Sequence, residues 1–110
     1  MTANLYQKMA ARTINQNLNS YEIEDHALHG IAAEVGEIHS LFQKCYQGHT
    51  LDPHHLQSEI GNLLWFIAEL CSANNWELDL IMEMNIDKLL ECYPDGFDAE
   101  HSLHRKDGDI

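Results

Sequence analysis

From Leu28 to Cys45 the apolar residues of this chain recur at intervals of three and four: Leu28, Ile31, Ala32, Val35, Ile38, Phe42 and Cys45. That spacing lines one side of an α-helix and does not fit a strand, whose faces alternate with a period of two. The pattern predicts a helix over about residues 23–46, with Gly48 beyond it as a stop signal. A second stripe, Leu56, Ile60, Leu63, Leu64, Ile67, Leu70 and Cys71, predicts another over about 53–73. Asp52 before Pro53 reads as its N-cap followed by proline at the first helical position. The connection "QGHTLD" is short, so the two helices are expected to form an antiparallel hairpin.

Two weaker segments flank the hairpin. Residues 3–17 carry Leu5, Met9, Ala10 and Ile14, and "NLNSYEIEDH" interrupts the pattern with residues that favour turns and caps. "WELDLIMEMNIDKLLECY" repeats Leu78, Ile81, Met82, Asn85, Ile86 and Leu89 at helical spacing. After Tyr93 the pattern stops at "PDGF", and the rest reads as an extended or loosely ordered tail. No run alternates as a half-buried strand does. Two prolines and six glycines in 110 residues leave room for long elements. The expectation is one all-α domain spanning 1–110, a short four-helix bundle-like protomer with an irregular tail from about residue 94. "LLWFIAEL" is apolar over more than one helical face, so self-association into an oligomer is expected. Trp65 and Phe66 are anchors either for that interface or for the protomer's own core.

Charge narrows the function. Eighteen acidic residues against six Lys and Arg give a formal charge of −12. Such a surface repels nucleic-acid backbones and anionic membranes. A nucleotide remains an acceptable ligand where a divalent metal intervenes. Cys45, Cys71 and Cys92 form neither a CxxC pair nor a zinc spacing. They suit a reducing compartment, and a cytoplasmic location is expected. The N-terminal residues lack the apolar run of a signal peptide, and the longest apolar run, "LLWFIA", is too short to span a membrane.

The placement of individual carboxylates is more specific. In "HGIAAEVGEIHSLFQK" Glu34 and Glu37 are three apart, so they share one face of a helix. In "SEIGNLLWFIAEL" Glu59 and Asn62 stand in the same relation. If the two helices pack antiparallel, three carboxylates and an amide oxygen converge. Crowded carboxylates repel and raise one another's pKa unless neutralised, and Mg²⁺, hard and oxygen-loving, resolves that conflict. The plain alternative is a set of solvated surface glutamates, and spacing does not separate the two. A di-iron bundle is excluded because none of these glutamates is followed by histidine at i+3. His26/His29 and His54/His55 form no convincing ligand constellation. Asn85 and Lys88, again three apart, offer an amide and a cation for phosphate, or Lys88 simply pairs with a nearby acid. Arg105 and Lys106 either fold over a phosphate chain or solubilise the tail. Gln7, Arg12, Thr13, Gln16 and Asn17 are polar enough to read a base edge, or they form a solvated face.

Together "HGIAAEVGEIHSLFQK", "SEIGNLLWFIAELC" and "NIDKLLECYPDGF" resemble the MazG-like all-α nucleoside triphosphate pyrophosphohydrolases, from about Tyr6 to Arg105. The resemblance implies Mg²⁺, with Mn²⁺ as a substitute, held by an ExxE pair and an ExxD pair. It implies cleavage of nucleoside triphosphates into monophosphate and pyrophosphate by homodimers or homotetramers. Carried over, Glu34, Glu37 and Glu59 are the catalytic metal ligands, with Asn62 as a neutral fourth. Asn85 and Lys88 match an Asn-x-x-Lys figure that in the family looks toward the phosphates, and Arg105 is the further phosphate-contact candidate. Two residues depart from the pattern: Asn62 stands where the family has a metal-binding aspartate, and Cys92 where it often has arginine. An alternative follows from the first departure: a nucleotide-binding or structural protein that keeps the fold around a degenerate metal site.

Overall fold

The computed structural model describes residues 1–104. Its elements are α1 (Ala3–Ala11), α2 (Ser20–Cys45), α3 (Pro53–Ala73), α4 (Leu78–Cys92) and α5 (Ala99–Leu103), with no strand among the described residues. The all-α expectation therefore holds, and each boundary has a local cause. α1 stops at Ala11, short of the expected residue 17, because Thr13 Oγ1 donates to the Ala10 carbonyl and Asn17 N donates to Asn15 Oδ1. Those side chains offer the backbone a turn in place of another helical bond. α2 begins with a capping box: Asn19 Oδ1 accepts from Glu22 N, and Glu22 Oε1 accepts from Asn19 N. α3 starts as read from the sequence, with Asp52 accepting from His54 N and Pro53 at the first turn. The tail differs from its irregular reading. Asp98 caps the short α5, and Tyr93 stacks on Phe97 with ring centroids 5.8 Å apart.

α2 and α3 make the most extensive helix contact, and α1 packs on both α3 and α4. Advancing along α2, the partners on α3 step backwards: Glu24 meets Asn74, His26 meets Glu69, and Gly30 meets Phe66. A Cβ at Gly30 would overlap the Phe66 ring, so only glycine allows this approach. Buried Ala27, Ala68 and Cys71 continue the small-residue contact. Burial pushes the Cys71 thiol pKa up.

α4 is held differently. Its N-cap, Glu77, makes no side-chain cap bond. Two side chains of α1 supply the caps instead: Gln7 Oε1 accepts from Leu78 N at 2.8 Å and Asn4 Oδ1 from Asp79 N at 3.2 Å. Gln7 Nε2 also donates to the Trp76 carbonyl at 2.8 Å. α4 has no comparable packing on α2 or α3. The four longer helices thus spread rather than close into a compact bundle. The radius of gyration is 17.1 Å, against about 13 Å for a compact domain of roughly this length. Large apolar side chains stay exposed, among them Leu28, Val35 and Phe42 on α2 and Leu80, Met82, Met84, Ile86 and Leu90 on α4. No helix among the described residues is long and apolar enough to cross a membrane.

Candidate metal centre

The less exposed side of α2 runs through Ala27, Gly30, Glu34, Ile38 and Leu41, at intervals of three and four. Glu34 therefore stands inside the contact with α3, not on the outer face. There it meets Glu59, and Asn62 lies against both. The hydrogen bond with Glu59 holds the Glu34 carboxyl above its usual range, followed by burial and the negative charges of Glu59 and Glu37, with Asn62 offsetting part. Glu59 moves the other way. The same hydrogen bond from Glu34 lowers it first, with burial in opposition, and His55 and Asn62 lower it further. One proton shared between two carboxyls, carried by Glu34, is the state these shifts describe. His55 Nε2 lies 3.1 Å from Glu59 Oε1.

Glu34 Oε2 is buried and has no hydrogen-bond partner. Beside it stand the Glu59 carboxyl and the Asn62 amide, whose N–H donates to both carboxyls and so lowers them. Two carboxylates with a buried oxygen between them are the donor type a hard divalent cation takes. The residues fit Mg²⁺ in this sense. Asn62 is exposed; where an aspartate would add charge it has a neutral carbonyl oxygen to offer an ion once its amide turns over. Glu37 is exposed and reaches Glu34 only as a neighbouring charge. Accordingly, no three His, Cys, Asp or Glu side chains already surround one point among the described residues.

The remaining expected site residues are not gathered here. Asn85 and Lys88 lie on α4, which packs chiefly on α1; Asn85 is exposed and Lys88 half-buried. Arg105 and Lys106 lie outside the described residues. Cys92 is buried at the end of α4. Three residues offered as base readers have structural partners: Gln7 holds the start of α4, Thr13 Oγ1 accepts from Trp65 Nε1 at 2.8 Å, and Gln16 Nε2 donates to the Ile14 carbonyl at 3.1 Å.

The sequence reading passed over Glu69. Its side chain is 1% exposed, and both carboxylate oxygens lie close to His26 Nδ1, at 2.9 and 3.0 Å. His26 packs edge-on to Trp65 and tilted against Phe66. Trp65 and Phe66 are thus half-buried within the protomer and meet edge to face, centroids 5.1 Å apart. A charge inside the apolar run "FIAEL" was the available signal, and its partner forty-three residues earlier was not visible without the packing. Three other histidines pair locally: His29 lies 3.4 Å from Asp25, His55 faces Glu59, and His104 lies 3.8 Å from Glu100.

Comparisons with protein-family models, with curated proteins and with solved structures find no match to this chain.

Proposed function

We propose that the chain is a Mg²⁺-dependent nucleoside triphosphate pyrophosphohydrolase of the MazG-like kind. The observation that carries this reading is the meeting of Glu34, Glu59 and Asn62 across two helices, with Glu34 Oε2 buried and unpartnered. In this reading α2 and α3 form an antiparallel hairpin, and Glu34, Glu59 and Asn62 hold the ion, with Glu37 at its edge. Bound Mg²⁺, or Mn²⁺ in its place, supplies charge neutralisation at the phosphates. One of the three glutamates takes the proton of the attacking water. Water oxygen bonds to the α-phosphorus, the bond to the bridging α–β oxygen breaks, and pyrophosphate leaves. Because α4 carries Asn85 and Lys88 away from this cluster, their phosphate role belongs to an assembled dimer or tetramer. In such an assembly the exposed apolar face of α4 is covered by a second copy.

Product analysis tests the reading. Purified protein incubated with several triphosphates and Mg²⁺ or Mn²⁺ is expected to release monophosphate and pyrophosphate in equal amounts. Orthophosphate as the sole inorganic product, or no turnover at high protein concentration, contradicts it.

A second reading draws on Asn62 and on the lack of three converging ligands among the described residues. Here the chain binds Mg²⁺-nucleotide without efficient hydrolysis, since losing one anionic ligand weakens both charge and geometry at the ion. Calorimetry showing binding without turnover favours it. Asn62→Asp then restores hydrolysis if the scaffold is otherwise competent.

A further inference from the structure

His55 stands one helical turn before Glu59 on α3, the spacing at which two helix side chains face each other. Its Nε2 is 3.1 Å from Glu59 Oε1. The glutamate side chain is enclosed, 13% exposed, while the imidazole is 51% exposed. With the proton on Nε2, the ring donates to Oε1. That ties one Glu59 oxygen to the histidine, while the same carboxyl also meets Glu34 and Asn62. A glutamate side chain turns about several bonds, and ligands from separate helices share an ion only when each is oriented by a further partner. His55 lines a cavity of ≈ 190 Å³ at the turn between α2 and α3, with Leu41, Lys44, His49 and Leu51 among the walls.

We infer that His55 is a positioning residue: it fixes the Glu59 carboxylate in the orientation that lets Glu59 share a divalent cation with Glu34 and Asn62. The inference rests on the proposed metal reading, and His55 acts through Glu59 rather than on substrate. His54 does not replace it, because adjacent helix residues do not share a face. Removing an outer partner of this kind weakens metal binding by roughly 10–100-fold in known sites.

The test is Mn²⁺ titration of the nucleotide-free protein, followed by electron paramagnetic resonance. Wild type, His55→Ala, His55→Asn, His55→Gln and His54→Ala are compared, with metal-free melting curves to establish equal folding. His55→Ala and His55→Asn, which remove the donor or draw it back, are expected to weaken Mn²⁺ binding by about tenfold or more. His55→Gln, whose longer amide still reaches one turn along the helix, recovers most of the affinity, and His54→Ala leaves it unchanged. Wild-type affinity in both the Ala and Asn variants overturns the role of His55 while leaving the metal centre standing. Failure of the wild type to bind Mn²⁺ overturns the metal centre and the role of His55 together.

Discussion

Between α2 and α3, Gly30 makes room for the Phe66 ring and Ala27 and Ala68 are buried, whereas polar side chains of α1 fasten the start of α4. Both regions are rich in apolar residues. The difference lies in where those residues find a partner. α2 and α3 bury a common stripe, and Glu34 and Glu59 are carried inside it. α4 leaves Leu80, Met82, Met84, Ile86 and Leu90 exposed around much of its circumference. A helix apolar on all sides is ordinarily a buried one. The comparison separates a pair that shares a buried stripe, while leaving Leu28, Val35, Phe42, Ile60 and Leu64 exposed on its outer sides, from a helix that a second copy covers in the proposed assembly.

The largest expected effect falls on the pair. Gly30→Ala forces the Phe66 ring aside and is expected to lower stability by about 1–3 kcal/mol, the usual range for overpacking. Gly36→Ala meets nothing within 4 Å and gains about 0.5–1 kcal/mol from helix propensity. Urea melts of the two variants check both signs. If Gly30→Ala is neutral, the close approach of α2 and α3 is not the lock described.

A smaller and more local effect is expected at the other region. Gln7→Ala removes the acceptor for Leu78 N and the donor to the Trp76 carbonyl. The cost is about 1 kcal/mol, as for loss of a helix cap. Hydrogen exchange should show it as faster exchange in the first turn of α4, with the α2–α3 amides unchanged. Uniform loss of protection across the protein would mean that α4 and the pair open as one unit.

The smallest effect is the pH dependence of the metal-free pair. Glu34 is raised in the folded chain, so its contribution is complete below the ordinary glutamate value of about 4.3 and is lost as pH rises through its folded value. Glu59 is lowered, so its contribution is present above that value and is lost as pH falls through its own. Metal-free melting temperature should therefore decline as pH is raised from about 4.3 towards neutrality. Mg²⁺ added at neutral pH should restore what is lost, because the ion replaces the shared proton. Glu34→Gln should flatten the decline. An unchanged slope in Glu34→Gln would remove the shared proton from the explanation.

How much of this was legible in the sequence follows the same division. α2 and α3 were readable because periodic stripes, the Asp52–Pro53 start and the short connection agree with one another. The meeting of Glu34 with Glu59 was one of two arrangements the spacing allows, surface glutamates being the other, and Glu37 does not join it. α4 was readable as a helix with a stripe through Leu78, Ile81, Met82, Ile86 and Leu89. Apolar residues also lie outside that stripe, Ile81, Met82 and Ile86 stay exposed, and the pattern did not place Asn85 and Lys88. Trp65 was open between interface and core, and its bond to Thr13 is a long-range pairing that no local pattern encodes. α5 was missed because five residues carry too little periodicity to register.

The central claim is that one divalent cation sits between Glu34 and Glu59 with Asn62 beside it. A crystal structure with Mg²⁺ and a non-hydrolysable nucleoside triphosphate tests this most directly. The account predicts an ion bridging α2 and α3, with oxygens of Glu34 and Glu59 about 2.0–2.1 Å away or one water further, and with the phosphates on its open side. An ion bound instead at the histidines, or a nucleotide seated with no metal between Glu34 and Glu59, would contradict it.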